Sequence, residues 1–167
     1  MTLRKILHYP NPKLRHTAKS VDNVDKEIQR LISDMFETMY EDNGIGLAAT
    51  QIGIDLRIFV VDVHEKNKNP IAFINPVIIE QAGEQKYPEG CLSLPGIFAE
   101  IKRAENIKIE ALKKEGKNFT LEANGILAVA IQHEFDHLDG KLFIDHLSSL
   151  KKQLIKRKLK KLRKQNL

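Results

Sequence analysis

His133-Glu134-Phe135-Asp136-His137 puts two imidazoles and a carboxylate where they can do metal chemistry together. Four residues apart, His133 and His137 share one face of a helix with Cβ atoms about 5–6 Å apart, so both rings can reach one ion. Glu134 swings to the side of that ion, the place for a general base acting on an ion-activated water. A helix is expected here. Gly125 precedes the apolar run Ile126-Leu127-Ala128-Val129-Ala130-Ile131, no proline interrupts it, and Gly140 is placed to end it. An H-E-x-x-H string also arises by chance on solvated helices. This one follows a stretch that is apolar nearly all round, which predicts burial, and buried His, Glu and Asp need partners.

Two histidines leave the site incomplete, because a catalytic zinc-type centre takes three protein ligands and keeps one position open. In the metzincin pattern a third His lies six residues on, where this chain has Phe143; in thermolysin-like enzymes a Glu follows some twenty residues later, but no acid follows Asp145 and position 157 is Arg. His146 lies downstream at a spacing that matches no known site. The missing ligand is therefore expected upstream, where the lone cysteine, Cys91, lies in Glu89-Gly90-Cys91-Leu92-Ser93-Leu94-Pro95-Gly96. A single Cys is by default a small buried hydrophobe. Beside an incomplete His pair it reads instead as a thiolate completing a tetrahedral set for Zn²⁺ or Fe²⁺. One Cys also rules out an intramolecular disulfide, as suits a reducing compartment.

A third segment, Asn43-Gly44-Ile45-Gly46-Leu47-Ala48-Ala49-Thr50-Gln51-Ile52-Gly53, is rich in small residues. It lacks the third-glycine spacing of a dinucleotide site and has no Gly-Lys-Ser/Thr. Its small residues would let a substrate backbone come close, with Gln51 the polar group at the end of that wall.

Together, Gly44-Ile45-Gly46-Leu47-Ala48-Ala49-Thr50-Gln51, Glu89-Gly90-Cys91-Leu92-Ser93 and Gln132-His133-Glu134-Phe135-Asp136-His137-Leu138-Asp139-Gly140 resemble the three ordered signatures of the peptide deformylases. The opening Ile6-Leu7-His8-Tyr9-Pro10-Asn11-Pro12, followed by Leu14-Arg15, is similar too, and the resemblance runs to about residue 147. It implies hydrolysis of the N-formyl group of formylmethionyl chains, releasing formate. It assigns Cys91, His133 and His137 to the metal and Glu134 to general acid/base work. The side chain of Gln51 and the backbone N–H of Leu92 would hold the oxyanion, and Gly46, with Ile45 beside it, would contact the substrate backbone. The methionine pocket is implied to draw on the ligand helix, through Ile126, Leu127, Val129 and Ala130, with Tyr87 a further candidate; Ile126 and Leu127 could equally be core. Softness alone admits Zn²⁺, Fe²⁺, Co²⁺ or Ni²⁺; the resemblance implies Fe²⁺ and oxygen sensitivity. After Pro95 the chain reads Gly96-Ile97-Phe98-Ala99-Glu100, where many bacterial members carry a basic residue. Asp136 points away from the metal face and is expected either to pair with a base such as Arg103 or to be a surface carboxylate.

The elements that must position these residues read as α+β. Antiparallel strands are expected to pack around the metal-binding helix, with an N-terminal helix and a basic C-terminal helix. Ile28, Leu31, Ile32, Met35, Phe36 and Met39 keep helical spacing from Asp25 to the Asn43-Gly44 stop. Residues 57–63, 72–80 and 100–112 read as strands, and Lys114-Glu115-Gly116-Lys117 as a hairpin turn into 119–122. At 167 residues and 42% hydrophobic, the chain suffices for one core. Residues 1–147 are expected to form the catalytic domain and 148–167 its helical extension. No secretion signal or membrane span is recognisable, and a cytoplasmic monomer is expected.

Charge is unevenly placed. Residues 151–164 hold nine Lys or Arg and no acid, so a chain of +5 overall carries −4 outside its tail. Leu147, Leu150, Leu154 and Leu162 are spaced to form an apolar stripe along that basic helix. A solvated helix is the plain interpretation. Docking on the phosphate-rich ribosome is the sharper one, and an anionic membrane surface is a further alternative. Two other function classes compete: a metallopeptidase, which would cleave unformylated peptides, and a noncatalytic metal-stabilised RNA-binding protein, which would tolerate loss of Glu134 and Gln51.

Overall fold

The computed structural model describes residues 2–64 and 66–165. Asp25 opens the first helix, α1 (Lys26–Glu41), by accepting from the Ile28 N–H at 2.9 Å, as an N-cap carboxylate does. Its buried stripe of Ile28, Leu31, Ile32, Met35 and Met39 packs on one face of a five-stranded antiparallel sheet. The strands are β1 (Gly46–Ala48), β2 (Ile58–Val61), β3 (Ile71–Ala82), β6 (Asn106–Leu112) and β7 (Asn118–Asn124), in the order β1-β2-β3-β6-β7. A second sheet is the hairpin of β4 (Gln85–Cys91) and β5 (Leu94–Arg103), closed by Leu92 and Ser93. Helix α2 (Gly125–Leu138) carries the H-E-x-x-H residues and buries Ala128, Ala130, Ile131 and Leu138 against the large sheet. Helix α3 (Ser149–Gln165) follows a short 3₁₀ turn, Phe143–His146.

The strand expected over 100–112 is two strands in different sheets, separated at Ala104 and Glu105. The apolar alternation lapses over Lys102-Arg103-Ala104-Glu105-Asn106 and resumes only at Ile107, which marks the break. A side chain from α2 makes it: Gln132 accepts from the Ala104 N–H at 3.1 Å and donates to the Ala104 carbonyl at 2.9 Å. The backbone polar groups at the joint are satisfied by a side-chain amide instead of a neighbouring strand. The expected turn at 114–117 does join two paired strands, β6 and β7, with the Lys113 N–H donating to the Lys117 carbonyl at 2.8 Å.

Helix α2 stops at Gly140, whose φ of +72° lies in the left-handed region. A Cβ there would lie 2.8 Å from the Arg15 carbonyl carbon, so only glycine admits the N-terminal segment beside the helix end. Arg15 fastens that contact, donating to the Gly140 carbonyl at 3.1 Å and pairing with Asp145.

The stripe expected on α3 is displaced. Leu150 and Leu154 are 67% and 53% exposed, whereas Ile155, Leu159 and Leu162 join Leu147 against the small sheet. Two overlapping stripes exist on this helix, and the position of the hairpin selects the second. Among the described residues no helix is long and apolar enough to cross a membrane.

Candidate active site

Two elements converge on one point. The hairpin delivers Cys91 at the end of β4, and α2 delivers His133 and His137 from successive turns. One donor atom from each lies within 4.8 Å of the others. Cys91 Sγ is 3.4 Å from His137 Nε2, and the two imidazoles meet edge-on with centroids 5.1 Å apart.

The donors are aimed by a buried ionic chain. His133 Nδ1 lies 2.8 Å from Glu89 Oε1, to which its N–H donates, leaving Nε2 free to face the cluster. Glu89 is held in turn by Arg103, whose Nε and Nη2 each donate to it at 2.8 Å. The third arm of the guanidinium, Nη1, reaches Asp136 at 2.7 Å. Asp136 is therefore the ion-pair partner of Arg103, and His146 Nε2 lies 2.8 Å from the same carboxylate oxygen. Burial alone would raise the Glu89 carboxyl, but Arg103 and His133 more than offset it and hold Glu89 below the ordinary carboxylate range. Burial lowers His137 well below the usual imidazole value, with the neighbouring His133 adding to the effect. Burial likewise opposes the charge on His133, yet Glu134, Cys91 and Glu89 together raise it well above that value.

Glu134 is 4% exposed. Its Oε2 is 4.0 Å from His133 Nε2, and burial pushes its carboxyl up to about 7. A Cβ on Gly46 would fall within contact of Glu134 Oε2 and 2.9 Å from its carboxyl carbon, so the glycine on β1 leaves the space that the Glu134 carboxyl occupies. Gln51 is oriented at both ends of its amide. Its Oε1 accepts from the Ala48 N–H at 2.9 Å, and its Nε2 donates to Ser93 Oγ at 3.0 Å while lying 3.5 Å from Cys91 Sγ.

The donor set suits a borderline-soft divalent ion, one thiolate and two imidazoles with room for a further ligand. Two buried atoms at the cluster, Glu134 Oε1 and His137 Nδ1, have no hydrogen-bond partner among the described residues. An acceptor so placed fits an active centre better than a packed core, where buried polar atoms are normally paired.

A cleft of about 740 Å³ opens beside the cluster. Ile45, Gly46, Gln51, Tyr87 and Leu92 border it, and Val129 and Ala130 form its floor with His133 and Glu134. Ile126, carried to this pocket by the resemblance, does not border it: it sits in the first turn of α2, one turn from Ala130, and is exposed to solvent. Leu127 packs toward the sheet core instead. Sequence reasoning did not find Glu89 as the partner of His133 or Ser93 as the partner of Gln51. Both sit within the cysteine signature, but nothing in its spacing says which way they face.

A thiolate and a helix-borne His pair with a buried acid beside them, set in an α+β fold, define a metallohydrolase-type centre. The sequence model of the polypeptide deformylases matches residues 3–153. Peptide deformylase of Neisseria meningitidis is 54% identical over 98% of both chains, and that of Chromobacterium violaceum 52% over the whole of both. The crystal structure of a peptide deformylase from Legionella pneumophila superposes with a TM-score of 0.94 at 45% identity, covering 99% of this chain and 98% of that one. The chain belongs to the polypeptide deformylase family. It is a hydrolase of the N-formyl amide, removing the formyl group from newly made polypeptides. The family is metal-dependent, and Cys91, His133 and His137 form a group that could bind the ion.

Proposed function

We propose the following division of labour for this hydrolysis. Cys91, His133 and His137 hold one divalent ion, Fe²⁺ in the cell. When bound, the ion supplies Lewis-acid chemistry that makes water a nucleophile near neutral pH. Glu134 takes a proton from the attacking water as its oxygen bonds to the formyl carbon. The Gln51 amide and the Leu92 N–H donate to the oxygen on which negative charge develops, each worth about 3–4 kcal/mol in comparable sites. Glu134 then passes the proton to the departing nitrogen as the C–N bond breaks, leaving formate and a free amine. The single observation behind this reading is the place of the Glu134 carboxyl: buried, with Oε2 beside the His133 ring and Oε1 without a hydrogen-bond partner among the described residues, it stands at the ligand cluster as a proton acceptor and donor must. Ile45 and Gly46 border the path of the substrate backbone, while Tyr87, Val129 and Ala130 line the space for the methionine side chain. Iron is tested by elemental analysis of protein purified without oxygen. About one iron per chain, with activity that decays in air, is expected; a full complement of zinc with undiminished activity contradicts it.

We further propose that the enzyme works in the cytoplasm as a monomer, and that residues 148–167 extend the catalytic domain and dock on the ribosome. Burial of Leu159 on the small sheet supports the extension, and the exposed basic face of α3 supports an electrostatic partner. Reversing the charge of exposed Lys156, Lys160 and Lys164 to Glu, which leaves Leu159 packed, should weaken ribosome binding roughly tenfold or more at low salt and spare turnover of free peptide. Equal ribosome binding by the two forms contradicts the proposal.

A further inference from the structure

We propose that Phe98 determines substrate specificity in this chain: its ring is an apolar platform for a large apolar or aromatic side chain on one of the two residues after the formylmethionine. The inference rests on the deformylase reading and deepens it. Along β5 the side chains alternate, with Ile97, Ile101 and Arg103 buried and Phe98, Glu100 and Lys102 outward. The other outward positions are charged, as a solvated strand face demands. Phe98 breaks the pattern and is 74% exposed. The solvated face of a strand does not call for a phenylalanine, and a local rule broken in this way marks a functional position.

The ring is also anchored. A Cβ on Gly90 would lie 2.7 Å from Phe98 Cε1 and 2.9 Å from Cδ1, so the ring rests against the Gly90 backbone. Gly90 immediately precedes Cys91, which sets the aromatic surface one residue from the metal-site sulfur. An extended peptide advances about 3.3–3.6 Å per residue, so the positions just beyond the methionine pass the ring. Phe98 borders the same cleft as Cys91 and Glu134, with exposed Ile45 also on that cleft. Among the described residues the cleft lining contains no lysine or arginine, while Glu41 and Asp42 sit at its rim. An acidic side chain finds no partner there, and an apolar one finds the ring.

The test compares kcat/KM for formyl-Met-X-Ala and formyl-Met-Ala-X, with X as Phe, Leu, Ala, Lys or Glu, in the parent, Phe98→Ala and Phe98→Leu. In at least one series the parent should prefer Phe and Leu over Ala by about five- to tenfold, the gain residing in KM. Phe98→Ala should bring that ratio within about twofold of unity, and Phe98→Leu should retain part of it. The ratio is taken within each variant, so any general loss of activity cancels. A parent ratio near one in both series, or a ratio unchanged in Phe98→Ala, overturns the proposal. A preference for Lys over Phe that survives Phe98→Ala also overturns it and assigns the grip to Glu41 and Asp42. Each of these contrary results leaves formate release intact. Failure of the parent to release formate from any peptide contradicts the deformylase reading instead.

Discussion

Glu134→Ala is expected to slow formate release from a formylmethionyl peptide by about 100- to 10,000-fold, the range for loss of a positioned general acid/base. The fall should appear in kcat, because the carboxyl acts on protons in flight and holds no part of the substrate at rest. The three candidate ligands are separate side chains, so metal content should not change. That separation gives the variant its meaning. Loss of activity with the ion retained isolates the proton transfer, whereas loss of both would show that Glu134 also holds the centre together. Glu134→Gln tests the same point with shape preserved, since an amide fills the space beside Gly46 but neither takes nor returns the proton. A rate within about tenfold of the parent would remove Glu134 from the chemistry.

Arg103→Met should have the largest effect on stability. Its guanidinium is 4% exposed and makes three hydrogen bonds to two carboxylates, Glu89 and Asp136. Methionine leaves both acids behind without their counter-charge, and removing one partner of a buried pair costs about 3–5 kcal/mol. For a chain of this size that corresponds to about 6–20 °C in Tm. The effect reaches the metal as well. Glu89 fixes the His133 ring, and loss of such a partner typically lowers metal affinity about 10- to 100-fold. Acid should reveal the same network. Burial opposes charge on Glu89 and Asp136, but Arg103 and their histidine partners hold both below the ordinary carboxylate range. Their contribution is therefore complete above that range and is lost as pH falls through the lowered values. Arg103→Met should flatten this acid limb. Chemical unfolding and chelator competition measure both effects. A variant as stable as the parent, with unchanged metal affinity, contradicts the role given to the network.

The chemistry was more legible in the sequence than its supports. His133 and His137 could be paired from helical spacing, and Cys91 could be added because a two-ligand site is incomplete and the chain offers one thiol. Helix α1 was legible from Asp25 onward because an N-cap carboxylate and an apolar stripe agree. A base such as Arg103 is one of two readings for Asp136 on the back of the ligand helix, the other being a surface carboxylate, and the Arg103 pair is the one that forms. The remainder depends on tertiary direction, which one-dimensional patterns do not carry. Gln132 decides where the 100–112 segment changes sheets, yet it lies near the start of the histidine signature, far away in sequence. Which of two stripes on α3 is buried depends on where the β4–β5 hairpin stands.

The central claim is tested most directly by formate release from a formylmethionyl tripeptide, using the full chain loaded with Fe²⁺ without oxygen. The account predicts one formate for each new free amine and no cleavage of the unformylated peptide. Folded, metal-loaded protein that releases no formate would contradict it.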